Sequence, residues 1–142
     1  MMLLVAWQEA LAALEGAVTQ RDRLAARRER AVCVLLGMTP GEVKWARHHA
    51  RTGKYPAPVA SRLNYAAYVH HRKQVEEVEA RWAERITTAQ LVVDEAASTL
   101  CEATRALLSA TTAQAVVELT GRTRRQLACL AKRGPSGCGS AC

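Results

Sequence analysis

The chain has 142 residues, enough for one ordinary domain or two very small ones. Hydrophobic residues make up 49%, yet Phe is absent and aromatics total 4%, so the apolar content is mostly Ala, Leu and Val. Such side chains fill narrow helix–helix seams and argue against a thick aromatic core, while a net charge of +7 suits a polyanionic partner, nucleic acid before a membrane surface.

In chain order, residues 2 to about 36 read as one long helix. Trp7, Leu11, Leu14, Val18, Ala25, Val32 and Leu35 recur at spacings of three, four and seven, with Arg21 and Arg28 in the same seam. The charged run TQRDRLAARRER in its middle reads first as a solvated face, with a phosphate contact as the sharper alternative. Gly37 ends the helix. Thr39-Pro40-Gly41-Glu42 then starts another, with Thr39 as N-cap, Pro40 at the first helical position and Glu42 placed to complete a capping box. Arg51-Thr52-Gly53-Lys54-Tyr55-Pro56-Ala57-Pro58 stops this second helix, because glycine and two prolines cannot continue it.

From about Val59 the chain is expected to be helical for some fifty residues. Val75, Val78, Trp82, Ala89, Val93, Ala96, Leu100, Ala103 and Leu107 keep a heptad-like rhythm, with Ile86 beside it. A bend is expected at His70-His71 or Ser98-Thr99, and a break at Thr111-Thr112, where adjacent β-branched residues disfavour a helix interior. The tail from Gly134 to Cys142 is glycine- and serine-rich and reads as flexible. The expected organisation is therefore all-α: residues 1–53 as a long helix plus a turn motif, 54–58 as a Pro/Gly connector, 59–133 as a second long helix plus motif, and 134–142 as a tail.

The two motifs, AVCVLLGMTPGEVKWARHH from Ala31 and AVVELTGRTRRQLACLAKR from Ala115, align at a fixed offset of 84. Ala31/Ala115, Val32/Val116, Leu35/Leu119, Gly37/Gly121 and Thr39/Thr123 are identical, and Val43/Leu127 match in kind. A glycine able to take a positive φ lets two helices cross sharply, and Thr39 and Thr123 open the second helices with Glu42 and Gln126 at equivalent capping positions. The inner faces fall to Cys33, Val43 and Ala46 in the first copy and to Val117, Leu127 and Leu130 in the second. The outward faces offer Lys44, Arg47 and His48, with Arg51 and Lys54 just beyond, and Arg122, Arg124, Arg125, Lys132 and Arg133. Basic side chains near the start of such a helix reach phosphates or guanine edges. The second copy is the more cationic, and the stronger contact is expected there.

VLLGMTPGEVKWARHHARTGKYPAPV resembles the helix-turn-helix modules of excisionases and mercury-resistance-type regulators, small bacterial and phage proteins. Gly37, Thr39, Val43, Trp45, Arg51, Gly53, Lys54, Pro56 and Pro58 stand at the resembling positions, the last four in a wing-like turn. ELTGRTRRQLACLAKRG is similar to a generic actinobacterial module of the same kind. The resemblance covers about a third of the chain and implies sequence-specific binding of double-stranded DNA without enzymatic activity.

No paired carboxylates, glycine-rich phosphate loop or nucleophile elbow is present, so the expectation is a protein that is not an enzyme and needs no cofactor, metal or small-molecule substrate. Five cysteines, three of them (Cys33, Cys101, Cys129) in apolar helical patterns, argue against a disulfide framework and for a reducing cytoplasm. His48-His49 and His70-His71 read as solvent-facing rather than as zinc ligands. Trp7 and Trp82 are expected to knit the long helices together, Trp45 to pack under the wing-like segment, and Tyr55, Tyr65 and Tyr68 to cap one end of the bundle. The N-terminal run Met1–Trp7 lacks a basic flank and is read as neither signal peptide nor membrane span. Pairing of the long helices between two chains would give a homodimer. The competing class is a coiled-coil adaptor or assembly subunit whose turns are only corners. A third, remote reading takes the tail as a cysteine-bearing segment for modification.

Overall fold

The structure, a computed structural model, describes residues 1–54 and 59–132, the side chains of residues 59–61 excepted. The expectations for Tyr55, Pro56, Pro58, Arg133 and the tail lie outside the described residues. The fold is all-α, with α1 (Met2–Leu36), α2 (Pro40–Thr52), α3 (Val59–His70), α4 (Arg72–Ala110), α5 (Ala113–Thr120) and α6 (Arg124–Lys132).

Local chemistry places the helix ends where the sequence puts them. Gly37 takes a left-handed φ of 64° after α1. The second expected long helix breaks at His71, the first of the two candidate bends. Ser98-Thr99 stays helical within α4, with Thr99 Oγ1 donating back to the Glu95 carbonyl at 3.1 Å, a bond that competes with the ladder here without breaking it. At Thr111-Thr112 the chain does break, and Thr112 becomes an N-cap whose Oγ1 accepts from the Ala115 N–H at 3.2 Å.

The chain gathers into two compact units, Met1–Arg21 with Thr88–Cys142, and Asp22–Thr87. These are not the two sequence halves, and the reason is antiparallel pairing. In the first unit Trp7 Nε1 donates to Thr104 Oγ1 at 3.0 Å and Arg21 Nη1 to Gln90 Oε1 at 3.1 Å. Between these two bonds α1 advances by 14 residues while α4 retreats by 14, two heptads in constant antiparallel register. The start of α1 therefore belongs with the end of α4. Trp7, Ala10, Leu14, Val93, Leu100 and Leu107 form the seam, and Val116 of α5 and Leu127 of α6 close it.

Among the described residues, Thr104 is the one buried polar side chain in this core. Its hydroxyl accepts from the indole and donates to the Leu100 carbonyl at 2.7 Å, so neither group is left unsatisfied. Cys101, also buried, donates its thiol to the Ala131 carbonyl at 3.2 Å, and Arg105 Nε donates to the same oxygen at 2.8 Å, which together fix the end of α6 to α4. Cys129, expected as a small core thiol, is instead half-buried and disulfide-bonded.

In the second unit Val32, Met38, Val43 and Val75 form the core, with Leu36, Ala67, Tyr68 and Val78 packed against it. Leu35 departs from the expected seam and is 37% exposed. A straight helix drifts about 20° per heptad from a strict seven-residue repeat, and by the last turn of α1 the inward place has passed to Leu36. Among the described residues α1 alone is long and apolar enough to cross a membrane by length and composition. Core helices of water-soluble proteins and N-terminal signal sequences meet the same criterion, so α1 assigns no compartment.

Thr104→Val leaves the Trp7 indole N–H buried without an acceptor. It is expected to cost about 1–3 kcal/mol of unfolding free energy, read as a lower urea midpoint with an unchanged slope. A change under about 0.5 kcal/mol would mean that the hydrogen bond does not set the pairing.

Candidate nucleic-acid interface

Both motifs are built by the same local devices. In the first, Thr39 is extended (φ −73°, ψ 158°), and its Oγ1 accepts from the Glu42 N–H at 3.3 Å while Pro40 fills the first helical position of α2. In the second, Thr123 Oγ1 accepts from the Gln126 N–H at 3.2 Å and Gln126 Oε1 accepts from the Thr123 N–H at 2.9 Å, a complete capping box. Gly37 and Gly121 turn the chain with φ of 64° and 66°. A Cβ at either position would meet no atom within 4 Å, so only the left-handed backbone requires glycine there.

The aligned positions also share their burial. Val32 and Val116, before the turn, are fully buried, and so are Val43 and Leu127, one turn inside the second helix. With those pairs pinned inward, the opposite faces of α2 and α6 must face out.

On α2 the outward side chains are Lys44 and Arg51, both exposed, with His48 half-buried. Lys54 follows the helix and is exposed, and its carbonyl lies 3.1 Å from His49 Nδ1. Trp45, expected to pack beneath the wing-like segment, is instead 62% exposed, with the His48 ring edge-on at 5.7 Å and the His49 ring stacked at 6.2 Å. Arg47 points elsewhere. Its Nη1 donates to both oxygens of Glu29 at 2.9 Å and its Nη2 to Glu79, so it joins α2 to α1 and α4 within the second unit. Burial alone would lower the Arg47 pKa. The hydrogen bond and charge of Glu29, the charge of Glu79 and the Tyr68 hydroxyl outweigh it and hold the pKa above the ordinary arginine value. Arg47 is thus the least available of the basic residues assigned to the interface.

On α6, Arg124, Arg125 and Lys132 carry the outward charge, the first two exposed and Lys132 exposed at the helix end. Arg124 Nη2 reaches Gln114 Oε1 of α5 at 3.4 Å. Arg122 is half-buried at the turn and lines a cavity of about 280 Å³ with Leu11, Leu14, Leu100, Gln126 and Leu130.

Charge is divided unevenly between the units. Of the 20 Lys and Arg residues, 13 lie in Asp22–Thr87 against 7 of the 13 Asp and Glu, so this unit carries +6 of the +7. The other unit is nearly neutral but polarised, its basic residues concentrated at Arg122–Arg133. The second motif is the more cationic locally, whereas the first sits in the more cationic unit. The Glu29–Arg47–Glu79 cluster has no signal in the sequence, because nothing in a run of arginines marks one carboxylate as reaching across to α2. No match is found for the chain among known protein families, curated proteins or solved structures.

Two glycine substitutions are expected to act in opposite directions. Gly121→Ala, at a left-handed φ, should destabilise by about 1–2 kcal/mol. Gly16→Ala, inside α1 with nothing within 4 Å of the new methyl, should stabilise by about 0.5–1 kcal/mol. Thermal unfolding of both variants checks the pair, and equal shifts of the same sign would contradict the assigned backbone roles.

Proposed function

We propose that this protein binds double-stranded DNA through its two turn-linked helix pairs, α1–α2 and α5–α6, as a transcriptional regulator or an accessory factor of a mobile element. The observation that carries this reading is the shared construction of the two motifs. Two glycines at φ 64° and 66°, two threonine caps and two buried pairs leave Lys44 and Arg51 exposed on one second helix, with His48 half-buried between them, and Arg124, Arg125 and Lys132 exposed on the other. A helix so presented can lie against a groove, with its first residues at base edges and flanking basic groups on phosphates. Lys54 and Arg122 flank these helices as further phosphate contacts, and Arg133, outside the described residues, is assigned to the same role from sequence alone. Arg47 belongs to the interface as its support, since Glu29 and Glu79 hold it. No catalytic step and no cofactor enters this reading. Pairing of two copies through the long helices would present motifs to two half-sites.

The alternative, a helical adaptor working through protein contacts, draws on a separate observation. Leu91 and Val92 of α4 are 63% and 51% exposed, side by side on a helix whose other exposed residues are charged, polar or alanine.

Arg124→Ala with Arg125→Ala is expected to weaken duplex binding and to make the plot of log affinity against log salt shallower by about 1.8, at roughly 0.9 for each phosphate no longer neutralised. Fluorescence anisotropy on a duplex chosen by selection from random sequences measures this. A wild-type protein that binds no duplex at about 50 mM salt, but forms a defined complex through Leu91 and Val92, would sink the DNA reading and establish the adaptor.

A further inference from the structure

The middle of α1 carries a second cationic feature that the two motifs do not use. Arg23, Arg27 and Arg30 are exposed, and their spacing of four and three places them in one row along the helix. The packed positions of this stretch, Ala25, Arg28, Glu29 and Val32, lie on the opposite side of the same helix. The row continues into Val34, which is 77% exposed.

The neighbours along the helix are what single this row out. Positions three and four residues from each of the three arginines hold Thr19, Gln20, Leu24, Ala26, Ala31, Cys33, Val34 or another arginine of the row. None is a carboxylate. Among the described residues the three guanidinium groups make no ion pair or hydrogen bond, in contrast to Arg28, Arg47 and Arg72, which each face a glutamate. Like charges at these spacings repel, so the row is held at some cost to helix stability, and among the described residues no carboxylate pairs with it. It also belongs to the unit that carries +6. The complementary surface is a regular line of negative charge presented to an exposed helix face.

We infer that the Arg23–Arg27–Arg30 row is a docking track for the sugar–phosphate backbone of duplex DNA, one that supplies affinity without reading sequence. This rests on the DNA-binding reading above and adds to it a surface outside both turn motifs. Phosphate oxygens satisfy the three guanidinium forks, and the bound duplex removes the repulsion that the free protein carries.

The test compares wild type, R23Q/R27Q/R30Q, R27E and R27K on two duplexes of about 30 base pairs, long enough for a module of this size, one a selected site and one an unrelated sequence. Anisotropy is followed across a salt series, and melting of the free proteins by circular dichroism. The expected result for the triple variant is a weaker affinity by the same factor on both duplexes, with the salt slope shallower by about 2.7, at roughly 0.9 for each of the three phosphates. R27E should melt higher than wild type, because the new carboxylate would pair with Arg23 and Arg30, while binding less tightly; R27K should retain most of the binding. Unchanged affinity and slope in the triple variant overturn the track while leaving the motifs as the DNA-binding surface. So does a loss confined to the selected site, which would make the row a base-reading element. Wild-type protein with no salt-dependent duplex binding overturns both this and the functional reading. Loss of binding to phosphatidylserine vesicles in the triple variant, with duplex binding intact, overturns the track in favour of a membrane surface.

Discussion

Each turn motif hangs on two buried residues of one core cluster: a valine one turn before the glycine and an aliphatic residue one turn inside the second helix. Val32 with Val43, and Val116 with Leu127, are all fully buried. These residues are small, and a chain without Phe has few other ways to lock a short helix in place. α6 spans only Arg124–Lys132 and would be marginal alone, since short isolated helices do not recover the cost of nucleation. Its existence depends on Leu127 entering the seam of α1 and α4, on the capping box at Thr123, and on Cys101 and Arg105 holding the Ala131 carbonyl at its far end. The exposure of Arg124, Arg125 and Lys132 follows from that anchoring. An exposed basic face is created here by what the other face must bury.

The helix ends are legible in the sequence because they are decided by neighbours. Thr39, Pro40, Gly37, Gly53, Thr123 and Gly121 act through bonds spanning two to five residues, and every one stands at the helix boundary its chemistry calls for. Most of the seam is legible too, since periodicity reports the inward side of a helix whatever it packs against. What packs against it is not. The Trp7–Thr104 bond joins residues 97 apart, and nothing in either stretch names the other. The antiparallel pairing that assigns the start of α1 to the end of α4 is therefore a tertiary fact, and the two sequence halves do not become the two units.

The candidate site shows the same division between local and distant causes. That α2 and α6 carry basic outer faces follows from their spacing. That Arg47 is turned to Glu29 and Glu79 does not, because at i+3 from Lys44 it stands near the border of the inner and outer faces and a carboxylate on another helix decides its direction. Such a pair, half-buried and hydrogen-bonded at both nitrogens, orients α2 more than it stabilises the unit, since desolvation of the three charges offsets much of their attraction. Trp45 is the converse case. A bulky indole is expected inside, yet Ala46 takes the buried place beside it and leaves the indole outside against two histidines.

Two similar turn motifs in unlike surroundings give the molecule two differently charged settings for one device. In the unit of Asp22–Thr87 positive charge is spread over α1, α2 and the helices behind them, so a polyanion would be attracted broadly and held in many orientations. In the other unit the acidic residues of α1 and α4 cancel the average, and the arginines at the start of α6 stand as a local positive end on a neutral body. A broad field gathers and a focused one orients. If one chain does both, the exposed arginine row of α1 belongs with the gathering function and the second motif with the orienting one. The first motif, set in the broad field yet losing Arg47 to internal pairing, then contributes fewer directed contacts than its sequence promises.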